Sequence, residues 1–454
     1  MKETASGSTA SSLESKIELY LPFVLIAIAC ALRFYNLDLR PFHHDESVHA
    51  HFSYLLFKQG TYRYEPMWHG PFLYYVTAVL YRVFGDSEWM SRMMPALFGV
   101  ALVALPFTLK KHLGFKASLI TAFLLAISPA FLYYSRFFRN DSYLVFFSLA
   151  AVVCVMQYQE QKKSGFIYLA SFLFALALCT KENAYITAFI FFSFAAAYFL
   201  YTHRQHALKD LMRICTDNWL MCIVSLSIIV ILYTSLYSFF FVNTPDCIAR
   251  HGEHVPLINA IVTWSPHLTS CPSYIACPVV DAVSHWSSYN TGPTGPFYFY
   301  AALSLLYELP IVIFGAIGMV YCARKKDTLM VFMSYWAMSS FFIYSFVVYE
   351  KAPWILLHML LPLTFIAGAF IAELSTRLER EKVLYSYLFS AFTLLVFFFC
   401  IVASVNLNYY HFDDPAEPMI QAAQPPASFN DLMATIEEVA RQHEGNQTHI
   451  QVLD

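Results

Sequence analysis

The sequence predicts an all-α polytopic membrane protein, and three observations carry that expectation. Hydrophobic residues make up 58% of the 454-residue chain and charged residues only 13%, about half the roughly 25% of soluble domains. Apolar runs of about 20 residues, each long enough to cross a bilayer, recur along it. The segments between those runs alternate between basic and mixed character. A formal net charge of −3 gives no basis for nucleic-acid binding.

Hydropathy places about eleven spans, near 18–35, 93–110, 117–134, 142–159, 165–181, 184–202, 218–242, 296–321, 328–349, 354–374 and 383–406. The connections KKHLGFK (110–116), QEQKK (159–163), HRQHALKDLMR (203–213), CARKKD (322–327) and TRLEREK (376–382) are basic. The positive-inside rule puts these in the cytoplasm and every other connection outside. Residues 1–17 read as a disordered cytoplasmic tail, since MKETASGSTASSLESK lacks the layout of a cleavable signal. Residues 18–406 are then the transmembrane domain, with long outer loops at 36–92 and 243–295. Residues 407–454 are an outer C-terminal segment, where FNDLMATIEEVARQ has helical spacing and HIQVLD reads as a strand. A lone strand there suggests a truncated soluble domain, and Asn446 opens a glycosylation sequon.

Inside the first outer loop, residues 46–59 and 71–84 suit helices lying in the membrane interface, with a re-entrant piece as the alternative for the second. The first of these sets Val48, Phe52, Leu55 and Leu56 on one side. Five of the ten cysteines fall within spans, where a small apolar side chain needs no special account. Cys247, Cys271 and Cys277 share the second outer loop, where a disulfide is permitted but three thiols cannot all pair.

The chemistry gathers in the outer connections. HHDESVHAH (43–51) holds Asp45 and Glu46 directly after the first span. A carboxylate at that boundary can act as a general base toward a hydroxyl or amine, while the plainer role is capping the helix that follows. His44 and His49 miss the His-Glu-x-x-His spacing of a zinc helix, because Asp45 stands four before His49. A metal held by Asp45, His49 and a third group is the minor alternative; the expectation is no metal and no cofactor.

Arg136, Arg139, Lys181 and Lys351 end spans on the outer side, beside Asp141, Glu182 and Glu350. Cations are under-represented there, so these need an anion or partners from other loops. A lipid phosphate at headgroup depth suits Arg and Lys together. In EPMWHGPFLYY (65–75), Pro66, Gly70 and Pro71 break any helix and leave Trp68 and His69 in irregular backbone. Trp68 there is either an interfacial anchor or a platform for a sugar ring.

HHDESVHAHFSYLL, WHGPFLYY, FGDSEWMSR, SRFFRNDSYLVFF and CTKENAYI together resemble the C-type membrane glycosyltransferases. The nearest groups are the protein O-mannosyltransferases and the aminoarabinose-lipid transferases. The whole pattern is most similar to an archaeal and bacterial branch of flippase-activity-associated proteins, grouped with dolichyl-phosphate-mannose-protein mannosyltransferases. The resemblance covers residues 18–210 and rests further on mainly on span count and YEKAPW.

It implies a C-type bundle that moves a sugar, with inversion, from a polyprenyl-phosphate donor to a protein, lipid or glycan on the outer face. Asp45 would be the catalytic base, with Glu46 beside it. Arg136 or Arg139 would hold the donor phosphate, Arg139 preferred because Asp141 follows, and Lys181 and Lys351 join them by position. His44, His49, Trp68, His69, Asp141 and Glu182 would surround the acceptor or sugar. Partners are the lipid-linked donor, membrane lipids and the acceptor, and not nucleic acid. No Asp-x-Asp stands in the outer loops, which weighs against the metal-dependent oligosaccharyltransferase branch. The alternative is a non-catalytic subunit that handles lipid-linked sugars or accompanies a flippase.

Overall fold

The computed structural model describes residues 3–240, 278–279, 281–282, 285–286, 293–325, 327–381, 383–420, 423–443, 445 and 448, with side chains from Ile17 onward except those of 323 and 381. The described elements are all helical. Those of seven residues or more are α1 (Glu3–Phe34), α2 (His44–Gln59), α3 (Phe72–Phe84), α4 (Glu88–Thr108), α5 (Phe115–Ile127), α6 (Pro129–Ser135), α7 (Asp141–Gln161), α8 (Gly165–Leu178) and α9 (Asn183–His203). After these come α10 (Ala207–Asp217), α11 (Trp219–Tyr237), α12 (Phe299–Tyr307), α13 (Leu309–Lys325), α14 (Thr328–Phe342), α15 (Leu356–Glu381), α16 (Val383–Val405) and α17 (Ser428–Gln442). Cys247, Cys271, Cys277, Asn446 and the HIQVLD strand lie outside the described residues.

Eight helices among the described residues are long and apolar enough to cross a membrane, and two bent pairs raise the number to ten. This is a multi-pass membrane protein. The sequence suggested about eleven spans; the difference is α8, whose 14 residues reach about 21 Å against a hydrocarbon core of roughly 30 Å. The bent pairs are α5 with α6, turned by 61°, and α12 with α13, turned by 114°. The two breaks support each other. Ser128 caps α6 through Phe131 N–H (3.2 Å), and Glu308, at the other break, accepts from Ser128 Oγ (2.6 Å) and Ala130 N–H (2.8 Å).

The core forms around α15, which packs on α5, α13 and α14. Membrane helices gain by close approach, so small residues belong at their crossings. A Cβ added at Gly368 of α15 would lie 2.1 Å from Thr121 Oγ1 of α5, which is why that crossing needs glycine.

Ion pairs separate the two ends of the bundle. At one end Glu160 meets Lys111 (3.3 Å) and His112 (2.7 Å), Lys116 meets Glu379 (2.9 Å), and Lys325 meets Glu373 (2.8 Å). These contacts join the basic connections to each other. The other end, reached along α7, gathers residues 36–43, 135–140, 179–182 and 349–354. There the C-terminal stretch folds back, with Tyr134 donating to the Met419 carbonyl (2.8 Å) and Gln424 to that of Pro41 (3.0 Å).

Both expected short helices are present as α2 and α3, and they pack on each other. The buried stripe of α2 departs from expectation. It is Glu46, His49, Ser53 and Leu56, because polar partners in the loops draw that edge inward while Val48, Phe52 and Leu55 remain half-buried.

Candidate active site

Helix α2 begins at His44 because the residue before it can cap. His43 is extended, its Nδ1 accepts from Asp45 N–H (3.1 Å), and Glu46 Oε2 accepts from His43 N–H (3.0 Å), completing a capping box. The positive end of the helix dipole also favours two acids in its first turn. Neighbouring helical residues point about 100° apart, so the two carboxylates meet different surroundings.

Glu46 is fully buried. It takes a fork from Arg92 (Nε to Oε1 2.8 Å, Nη2 to Oε2 2.9 Å), a bond from Arg40 Nη2 (3.0 Å) and one from Phe138 N–H (2.8 Å). Burial alone would raise its pKa; Arg40 and Arg92 overcome that and bring it down to about 2. Arg92 also donates to the carbonyls of Leu37 (3.2 Å) and Arg40 (2.7 Å). With five bonds donated to it, Glu46 has no free lone pair for a reacting proton.

Asp45 is open by comparison, with its side chain 26% exposed, and its protein partner is Arg139 Nη1. Arg139 is buried and also approaches Asp141 (3.5 Å) through Nε, while its guanidinium lies 3.6 Å from the centre of the Trp354 ring. Among the described residues Arg139 Nη2 has no hydrogen-bond partner. Asp141, the first residue of α7, accepts Lys181 Nζ on both oxygens (3.1 and 3.2 Å) and has His358 Nε2 at 3.5 Å. Burial lowers the Lys181 pKa, and Asp141 opposes that shift only in part. Asp45, Arg139, Asp141 and Lys181 thus form one chain of alternating charge, with Trp354 beneath the two cations.

Irregular backbone places Lys181. Gly70 N–H donates to Thr180 O (2.9 Å) and Phe72 N–H to Cys179 O (3.0 Å), strapping the 68–72 segment to the turn before α9. A Cβ at Gly70 would fall 2.3 Å from Cys179 O, so only glycine permits this strap. His69, at φ +66°, meets Glu182 Oε2 through Nδ1 (2.7 Å), and Tyr64 hydroxyl donates to Oε1 (3.3 Å). Tyr74 hydroxyl donates to Trp68 O (2.6 Å), leaving its oxygen to accept from His49 Nδ1–H (2.9 Å). Burial pushes the pKa of both His43 and His49 down to about 3, so both are neutral.

The remaining candidates sit elsewhere. Arg136 donates Nη1 to the carbonyls of Leu32, Arg33 and Tyr35 and Nη2 to that of Asn36, at 2.7–3.1 Å, and so caps the end of α1. Lys351 turns its ammonium to the carbonyls of Tyr344 (2.9 Å) and Val348, closing the chain after α14. His44 is exposed. Sequence reasoning did not single out Arg40, Arg92, Trp354 or His358. The signal for Arg92 was a cation at the edge of an apolar run, which has to find a buried partner. Among the described residues no group of three or more His, Cys, Asp or Glu is arranged to hold a metal ion.

Comparison with known proteins bears on the fold. The family of dolichyl-phosphate-mannose-protein mannosyltransferases matches residues 68–237. The structure is similar to ArnT of Cupriavidus metallidurans bound to undecaprenyl phosphate (TM-score 0.57, 21% identity), covering 92% of this chain and 69% of that one. The fold is that of the C-type membrane glycosyltransferases. A second C-type relative is the archaeal oligosaccharyltransferase AglB of Archaeoglobus fulgidus, in complex with an inhibitory peptide and a dolichol-phosphate. There the TM-score is 0.60 at 14% identity, over 97% of this chain and 62% of AglB. No curated protein sequence matches significantly. The family match includes Arg139, Asp141 and Lys181 but begins after Asp45 and Glu46.

Proposed function

We propose that this chain transfers a sugar from a polyprenyl-phosphate donor to a protein, lipid or glycan acceptor by inverting displacement, without a metal, on the outer face of the membrane. The observation that carries this reading is the open carboxylate of Asp45 in contact with Arg139, whose free Nη2 and neighbour Lys181 stand at the same boundary. The relatives ArnT and AglB were solved with undecaprenyl phosphate and dolichol-phosphate, respectively, which supports a lipid phosphate as the donor's carrier. The basic connections joined at the far end favour that end as cytoplasmic, with the N-terminus.

In this mechanism the acceptor oxygen or nitrogen attacks the anomeric carbon as the bond from that carbon to the phosphate oxygen breaks. Asp45 takes the acceptor's proton. The polyprenyl phosphate leaves with the bonding pair, and Arg139 and Lys181 stabilise the growing negative charge with donors fixed in advance. Trp354 and Asp141 hold those cations in place. Glu46 has no part in the proton transfer; it fixes the helix end that aims Asp45.

Purified protein in nanodiscs, given a panel of synthetic polyprenyl-phosphate sugars, tests this. Release or transfer of sugar is expected from wild type, with a loss of about 10²–10⁴-fold in Asp45→Asn, the range for removing a general base. Equal lipid binding by both proteins without turnover on a broad panel would favour the non-catalytic lipid-handling role.

A further inference from the structure

A second polar and aromatic site lies beside the first. After α2 the chain passes Gly60 (φ +66°) and runs without regular structure through 61–65 into a single 3-10 turn at Pro66–Trp68. Its side chains alternate: Tyr62, Tyr64 and Pro66 are buried, while Thr61, Arg63 and Glu65 are exposed. Between this stretch, α2 and α3 opens a cavity of about 380 Å³, within the roughly 300–1,000 Å³ of small-molecule sites. Phe52, Tyr62 and Trp68 form its apolar floor, and Gln59, Arg63 and Glu65 stand on its rim.

Tyr74 connects it to the charged cluster. Its ring lines the cavity, and its hydroxyl bridges the Trp68 carbonyl and His49. Tyr74 and His49 therefore tie the cavity to α2, the helix whose first turn holds Asp45.

We propose that this cavity binds a neutral pyranose ring, the sugar end of a glycan acceptor. An aromatic floor suits the C–H face of a sugar, as it suits other flat, partly apolar groups. Amide, carboxylate and guanidinium groups on the rim can each direct hydrogen bonds to hydroxyls. Arg63 and Glu65 cancel in charge, which favours a neutral ligand over a phosphate or a uronate. A lipid chain would leave the rim groups without partners, and so fits less well. The assignment of the ring as an acceptor rests on the transferase reading; the binding itself does not.

The test is saturation-transfer NMR on the full chain in nanodiscs, without donor, using methyl hexopyranosides and their disaccharides. We expect transfer to the ring C–H protons of at least one sugar, with affinity at least tenfold weaker in Trp68→Ala and in Thr61→Trp. Thr61 is exposed, so its replacement blocks the cavity without disturbing the core and decides the matter should Trp68→Ala misfold. No transfer to any sugar, undiminished transfer in Thr61→Trp, or preferential binding of short peptides would each overturn the proposal. Sugar binding combined with full turnover by Asp45→Asn would instead count against the mechanism and leave this site standing.

Discussion

Asp45 and Glu46 are chain neighbours in opposite circumstances. Around Glu46 two arginines and two backbone N–H groups close a fully buried shell. Around Asp45 and Asp141 the charges are arranged as an open chain, with Asp45 reaching solvent and Arg139 Nη2 without a partner among the described residues. A closed buried network holds elements in register but has nothing to offer a substrate. An open one can exchange its partners for a substrate's phosphate. The difference teaches that the number of charges near a site matters less than how many of their bonds remain available.

Breaking the closed network has the largest expected effect. Arg92→Ala leaves Glu46 with one arginine and strands the carbonyls of Leu37 and Arg40. A cost of about 3–5 kcal/mol is expected, typical of removing one partner from a buried pair, and a lowered thermal midpoint in nanodiscs measures it. Acid attacks the same region in two stages. Because His43 and His49 are held neutral near pKa 3 against about 6.5 when unfolded, the unfolded chain binds more protons below pH 6.5. Stability should therefore fall from there down to about pH 3. Glu46, with its depressed pKa of about 2, stabilises above its unfolded value of about 4.3 and loses that contribution as pH falls from there toward 2. Thermal midpoints across that range should show both stages, and Glu46→Gln should remove the second.

Opening the second network further should act on ligand binding more than on folding. Arg139→Ala is expected to weaken binding of a polyprenyl phosphate by about 1.5–3 kcal/mol, the worth of hydrogen bonds to a charged group. Arg139→Lys should recover only part of this, since it loses the planar fork and the stacking on Trp354. Isothermal titration with the lipid phosphate reads both. The smallest effect belongs to the far end: Lys116→Ala breaks a half-exposed pair with Glu379 and should cost about 0–1 kcal/mol, within error of the wild-type midpoint.

The long apolar stretches made the bundle legible from sequence, because in a bilayer length and hydropathy nearly dictate a helix. The breaks were not. Ser128–Pro129 lies within a stretch that reads as one continuous span, and the role of Glu308 there depends on a helix distant in sequence. At the site, Asp45, Arg139, Asp141 and Lys181 were all named, and they do meet. Helix phase separates Asp45 from Glu46, but only the tertiary positions of Arg40 and Arg92 show which one is closed off. Arg136 and Arg139, three residues apart, are both candidates for a phosphate by sequence, with Asp141 favouring the second, and the carbonyls at the end of α1 claim the first.

The most direct test sets Asp45→Asn against Glu46→Gln in the same membranes, reading turnover of a polyprenyl-phosphate sugar and the thermal midpoint of each. The expected result is a double dissociation: Asp45→Asn loses about 10²-fold or more in turnover with an unchanged midpoint, while Glu46→Gln lowers the midpoint and retains turnover in the fraction that folds. Wild-type turnover by Asp45→Asn, or a folded and inactive Glu46→Gln, would contradict the assignment of chemistry to the open network.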